Sequence, residues 1–229
     1  MGKTLVIQLH RLGDVIQSTP AIESLRRSRP EEHIAVLTRK SFAAPLAGNP
    51  HVDELIPWDL HVAVEGMPRR DVPLDRQYPD IACFARSLRE KGFDQVINLA
   101  NDILSAVLVH FIGASQVSGL MVLDDASLQL CGPWMHYLFT ASANRALSSI
   151  NICDALRGLA GAPLEPGRLH VPVAESAAAF ASAFLAPADP GDGTPLVAMQ
   201  PGASKAEKRW PVERFARLAD LLCERHGAR

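Results

Sequence analysis

Short runs of β-branched and aliphatic residues alternate with longer amphipathic segments along the first half of the chain. The strand-like runs are residues 5–9, 34–37, 53–57, 95–99 and 116–118. The helix-length segments between and around them are residues 15–27, 41–47, 81–91 and 103–112. Strands that alternate with helices form right-handed βαβ units. We therefore predict an α/β fold with a parallel sheet that helices cover on both faces.

The second half of the chain begins with a stretch rich in glycine and proline. These two residues fill 11 of the 38 positions from 158 to 195, against 32 of 229 in the whole chain, which is typical of a linker. Within it the alanine-rich residues 175–185 predict a helix. Beyond it residues 196–199 predict a strand, and residues 211–226 predict a helix with Pro211 at its first position and Gly227 just past its end. We predict a first domain over residues 1–170, a linker over 171–194 and the beginning of a second domain over 195–229.

Charge and cysteine content narrow the class of protein. The 23 basic and 25 acidic residues give a net charge of −2, which argues against a dedicated nucleic-acid binder. The four cysteines follow no metal-ligand spacing and read as reduced thiols. No signal peptide is visible, and the longest apolar stretch, residues 103–112, is too short to span a bilayer. We expect a cytoplasmic protein without a transmembrane segment, able to work at a membrane surface.

The first candidate site is Arg11-Leu12-Gly13-Asp14, which follows the first strand. Ligands of parallel α/β sheets bind at the carboxyl ends of the strands. Gly13 would allow a sharp turn, and Asp14 is either a helix-capping residue or a general base. The neighbouring Thr19-Pro20 allows two structures: a helix that starts at Asp14 and kinks at Pro20, or a turn followed by a helix that starts at Pro20.

The second candidate site is the loop of residues 200–211, which follows the predicted strand 196–199. It contains the hydroxyl of Ser204, the small residue Gly202 and three cations, among them Lys208. Such a loop before a helix N-terminus suits a phosphate or diphosphate, although a solvated charged loop has the same composition. Trp210 in this loop fits a packing role equally well.

Several common motifs are missing from the sequence. It contains no phosphate-binding loop of the Gly-x-x-x-x-Gly-Lys type, no Gly-x-Gly-x-x-Gly, no Gly-x-Ser-x-Gly and no His-Glu-x-x-His. It also contains no Asp-x-Asp pair, the metal-diphosphate site of one class of glycosyltransferase. We expect neither a bound metal nor a cofactor.

Both candidate sites lie in stretches that resemble one known family. Residues 9–22 strongly resemble the N-terminus of the lipopolysaccharide heptosyltransferases, glycosyltransferase family 9. Pro201-Gly202-Ala203-Ser204, followed by Lys208-Arg209-Trp210-Pro211, is similar to the second signature of that family. Residues 49–56 and 93–99 match its usual pattern between these two motifs. The resemblance extends in order from residue 1 to residue 229.

The resemblance implies a GT-B fold, with an acceptor-binding Rossmann-like domain and the beginning of a nucleotide-sugar domain. It implies an inverting transfer of heptose from ADP-heptose to a lipid-linked oligosaccharide, the lipopolysaccharide inner core, at the inner-membrane surface. Asp14 matches the general base, and Gly202, Ser204 and Lys208 match donor-binding positions. Arg11 and Gly13 are the candidates for acceptor binding.

The sequence departs from the family pattern at three places. Residues 62–78, rich in arginine and aspartate, match no part of that pattern and are either an acceptor loop or a solvated insertion. The arginine common shortly after the fourth strand is absent from residues 101–105, so an anionic acceptor is less well supported than sugar transfer itself. The chain ends at Arg229, before the later donor motif of the family. We therefore carry two hypotheses, a heptosyltransferase or a non-catalytic module that binds the acceptor alone, and we expect this 229-residue chain by itself not to catalyse transfer.

Overall fold

The computed structural model describes residues 2–59, 66–144, 146, 148–164, 167–188, 191, 193–203 and 205–229. The chain divides into two compact units, Met1–Pro172 and Val173–Arg229. The first unit contains the sheet and both loops that follow its central strands, and the second unit contains the loop of residues 200–211.

The first unit is built on one sheet. Its strands in the described residues are β1 (Lys3–Gln8), β2 (His33–Arg39), β3 (Glu54–Trp58), β4 (Gln95–Asn98), β5 (Gln116–Val122) and β6 (Leu128–Cys131). They lie in the order β3-β2-β1-β4-β5-β6. The predicted parallel sheet is confirmed for β1 to β5. It is wrong for β6, a short strand that the sequence analysis missed and that pairs antiparallel with β5.

Helices of the first unit are α1 (Leu12–Ser28), α2 (Leu74–Gln77), α3 (Pro79–Glu90), α4 (Ile103–Ile112), α5 (Pro133–Ala143) and α6 (Ile152–Leu159). Residues 41–47, predicted as one helix, form two short 3₁₀ turns instead, with Pro45 in the second. The sequence analysis did not predict α5 or α6. Its linker signal also begins too early, because Leu159, Ala160 and Ala162 are buried in the core of the first unit.

The core lies on both faces of the central strands. Leu5 and Ile7 of β1, Leu37 of β2 and Val96 and Ile97 of β4 have no accessible surface. Strands buried on both faces carry continuous apolar runs instead of an alternating pattern. This explains why short unbroken runs such as residues 34–37 identified the strands.

The helix α1 passes through Pro20 without ending there. Pro20 has no N–H to donate to the carbonyl oxygen of Ile16, four residues earlier. The Thr19 hydroxyl donates to that oxygen instead, at 2.8 Å, and accepts the backbone N–H of His170 at 2.9 Å. The expected turn followed by a helix that starts at Pro20 is therefore wrong. One helix runs through Pro20, as the other alternative has it, but it starts at Leu12 instead of Asp14, and a side-chain hydroxyl replaces the missing donor.

The second unit contains α7 (Glu175–Leu185) and α8 (Val212–His226). The bounds of α7 are those predicted. Pro211 is the N-cap residue of α8 and not, as predicted, its first helical residue, and Gly227 ends α8 with φ +60°. The strand predicted at residues 196–199 is wrong, because no strand forms there. Among the described residues the backbone of this stretch is paired at its start, where Arg229 N–H donates to Pro195 O at 2.9 Å and Val197 N–H donates to Arg229 O at 2.8 Å. A buried parallel strand needs more neighbouring backbone than these two bonds supply.

None of the helices in the described part of the chain has the length and apolar character needed to cross a membrane.

Candidate active site

Two loops meet at the carboxyl edge of the sheet. One runs from β1 to α1 and the other from β4 to α4. Because β1 and β4 are parallel neighbours, both loops leave the sheet on the same side. Their side chains touch directly, since His10 Nε2 lies 2.8 Å from Asp102 Oδ2.

Asp14 is the third residue of α1 and half-buried. Its Oδ2 accepts the backbone N–H of Arg11 at 3.1 Å, which satisfies one donor that the helix start leaves unpaired. The predicted capping role is thus confirmed. The other carboxylate oxygen makes no hydrogen bond to the described residues, and the side chain borders a cavity, so capping leaves one oxygen available for chemistry.

The cavity has a volume of about 670 Å³ and opens at this edge of the first unit. Its polar side carries amides, an imidazole and a carboxylate, from Gln8, His10, Asp14, Gln17 and Asn101. Its apolar side comes from α5 and α6, with Met135, Leu138, Ile152, Leu156 and Leu159 among the lining residues. No lysine or arginine is present among the described residues that line it. The surface suits a polyhydroxylated molecule with an apolar side better than a polyanion.

Two candidate residues lie near the cavity without lining it. Arg11 is exposed at the N-cap of α1. Gly13 is the second residue of α1 and its φ lies outside the left-handed region, so the expected sharp turn is wrong. A Cβ at Gly13 would meet nothing within 4 Å. Because Gly13 has no side chain, the surface of the first helical turn beside Asp14 is uncovered.

Asp102 and His10 are the residues that sequence reasoning missed. Asp102 is the N-cap of α4, and its Oδ1 accepts the Ser105 N–H at 2.8 Å. Burial raises the pKa of Asp102, but the hydrogen bonds from His10 and Ser105 outweigh it and hold that pKa below the ordinary value. Asp102 is therefore a carboxylate at neutral pH. An Asp at a helix start and a His in the first motif were visible in the sequence, but not their contact.

The second candidate site lies in the second unit. Gly202 and Lys208 are exposed, and Lys208 ends a 3₁₀ turn, Ala206–Lys208. Arg209 Nε donates to the Ala203 carbonyl oxygen at 2.9 Å, and this hydrogen bond holds two parts of the loop together. Ser204, the predicted hydroxyl of this site, lies outside the described residues. The described part of the loop thus presents two exposed lysines before the start of α8, Lys208 and Lys205, and Lys205 Nζ lies 3.6 Å from Glu207 Oε1.

Trp210 packs edge-on against Phe215 of α8, with ring centroids 5.0 Å apart. This supports the packing role considered for it. Among the described residues, no group of three or more His, Cys, Asp or Glu side chains is placed to hold a metal ion.

Comparison with known proteins gives one consistent family. The sequence pattern of glycosyltransferase family 9 (heptosyltransferase) matches residues 81–228. Lipopolysaccharide heptosyltransferase 1 of Pseudomonas aeruginosa is 26% identical over 225 residues, which are 97% of this chain and 58% of that protein. The chain thus spans little more than half the length of this curated relative.

Two solved structures share the fold. A glycosyl transferase family 9 protein from Veillonella parvula superposes with a TM-score of 0.71 at 25% identity, over 98% of this chain and 60% of that one. The E. coli ADP-heptose lipopolysaccharide heptosyltransferase II superposes with a TM-score of 0.61 at 21% identity, over 98% of this chain and 62% of that one. These matches confirm the predicted α/β, Rossmann-like fold of the GT-B type. Since the family pattern covers more than half of the sequence, this chain belongs to glycosyltransferase family 9, the heptosyltransferase family.

Proposed function

We propose that the protein transfers a heptose from ADP-heptose to the lipopolysaccharide inner core, with inversion at the anomeric carbon. The family and the names of its relatives support sugar transfer of this kind. The observation that carries the proposal is Asp14, a half-buried carboxylate at the carboxyl edge of the sheet that borders the cavity of the first unit. The acceptor is then a lipid-linked oligosaccharide at the cytoplasmic face of the inner membrane.

In this mechanism the oxygen of an acceptor hydroxyl attacks the anomeric carbon of the donor. Its proton passes to the free carboxylate oxygen of Asp14. The bond between the anomeric carbon and the diphosphate oxygen breaks, and the electron pair leaves with ADP. Because attack and departure are in line on opposite faces of the sugar, the configuration inverts.

Residues of the second unit hold the donor in this proposal. Lys208 and the backbone at Gly202, together with Ser204, bind the diphosphate and neutralise the charge that builds on it as the bond breaks. Lys208 is exposed, as a diphosphate ligand must be. In this proposal the charge of Lys208, together with the backbone and hydroxyl donors, replaces a metal ion at the diphosphate. On the acceptor side, Arg11 and the open surface at Gly13 lie beside Asp14 and contact the incoming oligosaccharide.

The alternative is a module that binds the acceptor without catalysing transfer. One observation favours it: the cavity, Asp14 and the contact between His10 and Asp102 all lie in the first unit, which has its own apolar core.

The test replaces Asp14 with Asn in a protein extended to the length of the family's relatives, and it measures ADP release from ADP-heptose with a deacylated inner-core oligosaccharide as acceptor. Asn keeps an oxygen for the Arg11 N–H, so folding and donor affinity should stay the same. Losing the base should lower the rate about 10²- to 10⁴-fold. An Asn variant that keeps more than about a third of the wild-type rate would refute the role of Asp14. Wild-type protein of that full length that binds the oligosaccharide but releases no ADP would favour the acceptor-binding module.

A further inference from the structure

The contact between His10 and Asp102 has no part in the transfer steps above. His10 follows β1 by two residues, and Asp102 follows β4 by four. Their side chains are each about one third exposed, at 33% and 31%, so neither is hidden in the core. Asp102 is fixed from its other oxygen by the Ser105 N–H. The pair therefore has one rigid partner, Asp102, and one partner that faces the cavity, His10.

The partner of Nε2 decides what the other ring nitrogen of His10 can do. An ionised carboxylate only accepts hydrogen bonds, so Nε2 carries a proton toward Asp102. Nδ1 makes no hydrogen bond to the described residues. In the neutral ring Nδ1 is thus a hydrogen-bond acceptor held in a fixed direction at the border of the cavity that Asp14 also lines.

We propose that His10, oriented by Asp102, binds a second hydroxyl of the acceptor sugar through Nδ1, next to the hydroxyl that Asp14 deprotonates. This rests on the proposed function. A single carboxylate can take the proton of any hydroxyl that reaches it. Two hydrogen-bonding groups on one loop, the Asp14 carboxylate and His10 Nδ1, select a sugar with two suitably spaced hydroxyls. His10 then determines which acceptor hydroxyl reaches Asp14. The uncharged amides of Gln8, Gln17 and Asn101 complete a lining suited to hydroxyls.

A purely structural role for His10 makes a different prediction, and two substitutions separate the roles. In His10→Gln the side-chain amide nitrogen reaches the position of Nε2, so the bond to Asp102 is kept and Nδ1 is lost. In His10→Asn the amide lies near the position of Nδ1 and is too short to reach Asp102. If His10 binds the acceptor, Gln is the damaging change. If His10 only joins the two loops, Asn is the damaging change.

His110 provides a matched control. It too lies beside an aspartate, with Nε2 at 3.8 Å from Asp124 Oδ1, and it is not among the residues that line the cavity. Its Nδ1 donates to the Val122 carbonyl at 3.0 Å, so its tautomer is the reverse of that of His10. It therefore also serves as an internal reference in ¹⁵N spectra of the histidine rings.

The experiment is calorimetric titration of the 229-residue chain with the deacylated inner-core oligosaccharide. Loss of one hydrogen bond should weaken binding about 5- to 12-fold in His10→Gln. His110→Gln should bind like the wild type, and His10→Gln should unfold at the wild-type urea concentration. Ring ¹⁵N spectra should show the Nε2–H form of His10. In Asp102→Asn, whose amide donates toward Nε2, that form should convert to Nδ1–H.

Binding by His10→Gln within twofold of the wild type would overturn this inference alone, since the acceptor site would remain intact. The same holds if only His10→Asn is impaired, because His10 would then be a structural residue. Wild-type chain that does not bind the oligosaccharide would overturn this inference and the proposed acceptor together.

Discussion

Where α5 packs against α6, we predict that Gly158→Ala destabilises the wild-type protein and stabilises the Trp134→Ala variant. Gly158 of α6 lies directly over the indole of Trp134 in α5. A Cβ at residue 158 would lie 2.1 Å from Trp134 Cε2 and 2.4 Å from Nε1. Ordinary contacts begin at 3.4 Å, so Gly158→Ala forces the two helices more than 1 Å apart or moves the ring.

Two opposing contributions set the magnitude. Overpacking of this kind costs about 1 to 3 kcal/mol. Replacing a helical glycine by alanine stabilises by about 0.5 to 1 kcal/mol. With Trp134 present, the overpacking is larger, and Gly158→Ala should lower the free energy of unfolding by up to about 2 kcal/mol. In a Trp134→Ala background the indole is gone, and Gly158→Ala should raise the free energy of unfolding by about 0.5 to 1 kcal/mol.

Urea unfolding followed by far-ultraviolet circular dichroism, on the four proteins of this cycle, measures both effects. The difference between the two backgrounds should be about 1 to 3 kcal/mol. An equal effect of Gly158→Ala in both backgrounds would show that Trp134 does not pack on Gly158 as described. Because Met135 and Leu156 line the cavity from these helices, Gly158→Ala should also weaken oligosaccharide binding.

Three further predictions address other contacts. Thr19→Val removes a buried hydroxyl with two partners and should cost about 1 to 3 kcal/mol in urea unfolding, whereas Thr19→Ser should cost far less. The lowered pKa of Asp102 means that its charge stabilises the fold above about pH 4 and that this contribution is lost as pH falls through the folded-state pKa. The urea midpoints of wild type and Asp102→Asn should therefore converge as the pH falls below about 4. In the protein extended to the length of the family's relatives, Lys208→Ala should raise the KM for ADP-heptose about tenfold or more. Lys205 Nζ already lies 3.6 Å from Glu207, so Lys205→Ala should raise that KM much less, with excess EDTA present in both assays.

Much of the fold could be predicted from residues that are close together in the sequence. Continuous apolar runs identified β1, β2 and β4, because these strands are buried on both faces. The helix-capping position of Asp14 could be read from its place after the first strand. The bounds of α7 followed from an alanine-rich stretch that ends before proline. In each case the residues that decide the structure are close together in the chain.

The rest depended on contacts between distant residues. His10 and Asp102 are 92 positions apart, and they meet only because β4 pairs with β1, an order that periodicity does not reveal. Residues 196–199 have the composition of a strand, but a strand also needs a partner, and Arg229 supplies only two hydrogen bonds. β6 was missed because Leu128–Cys131 contains none of the β-branched residues that marked the other strands.

The two outer strands of the sheet limit how this protein can associate with others. At one edge, β3 contains the exposed Pro57, which has no N–H to offer to an added strand. At the other edge, β6 is only four residues long and antiparallel to β5. Short edge strands and edge prolines both oppose the pairing of one sheet with another. Growth of the sheet by a strand from a second molecule is disfavoured at both ends, so self-association that leads to aggregation should begin from other surfaces or from unfolded chains.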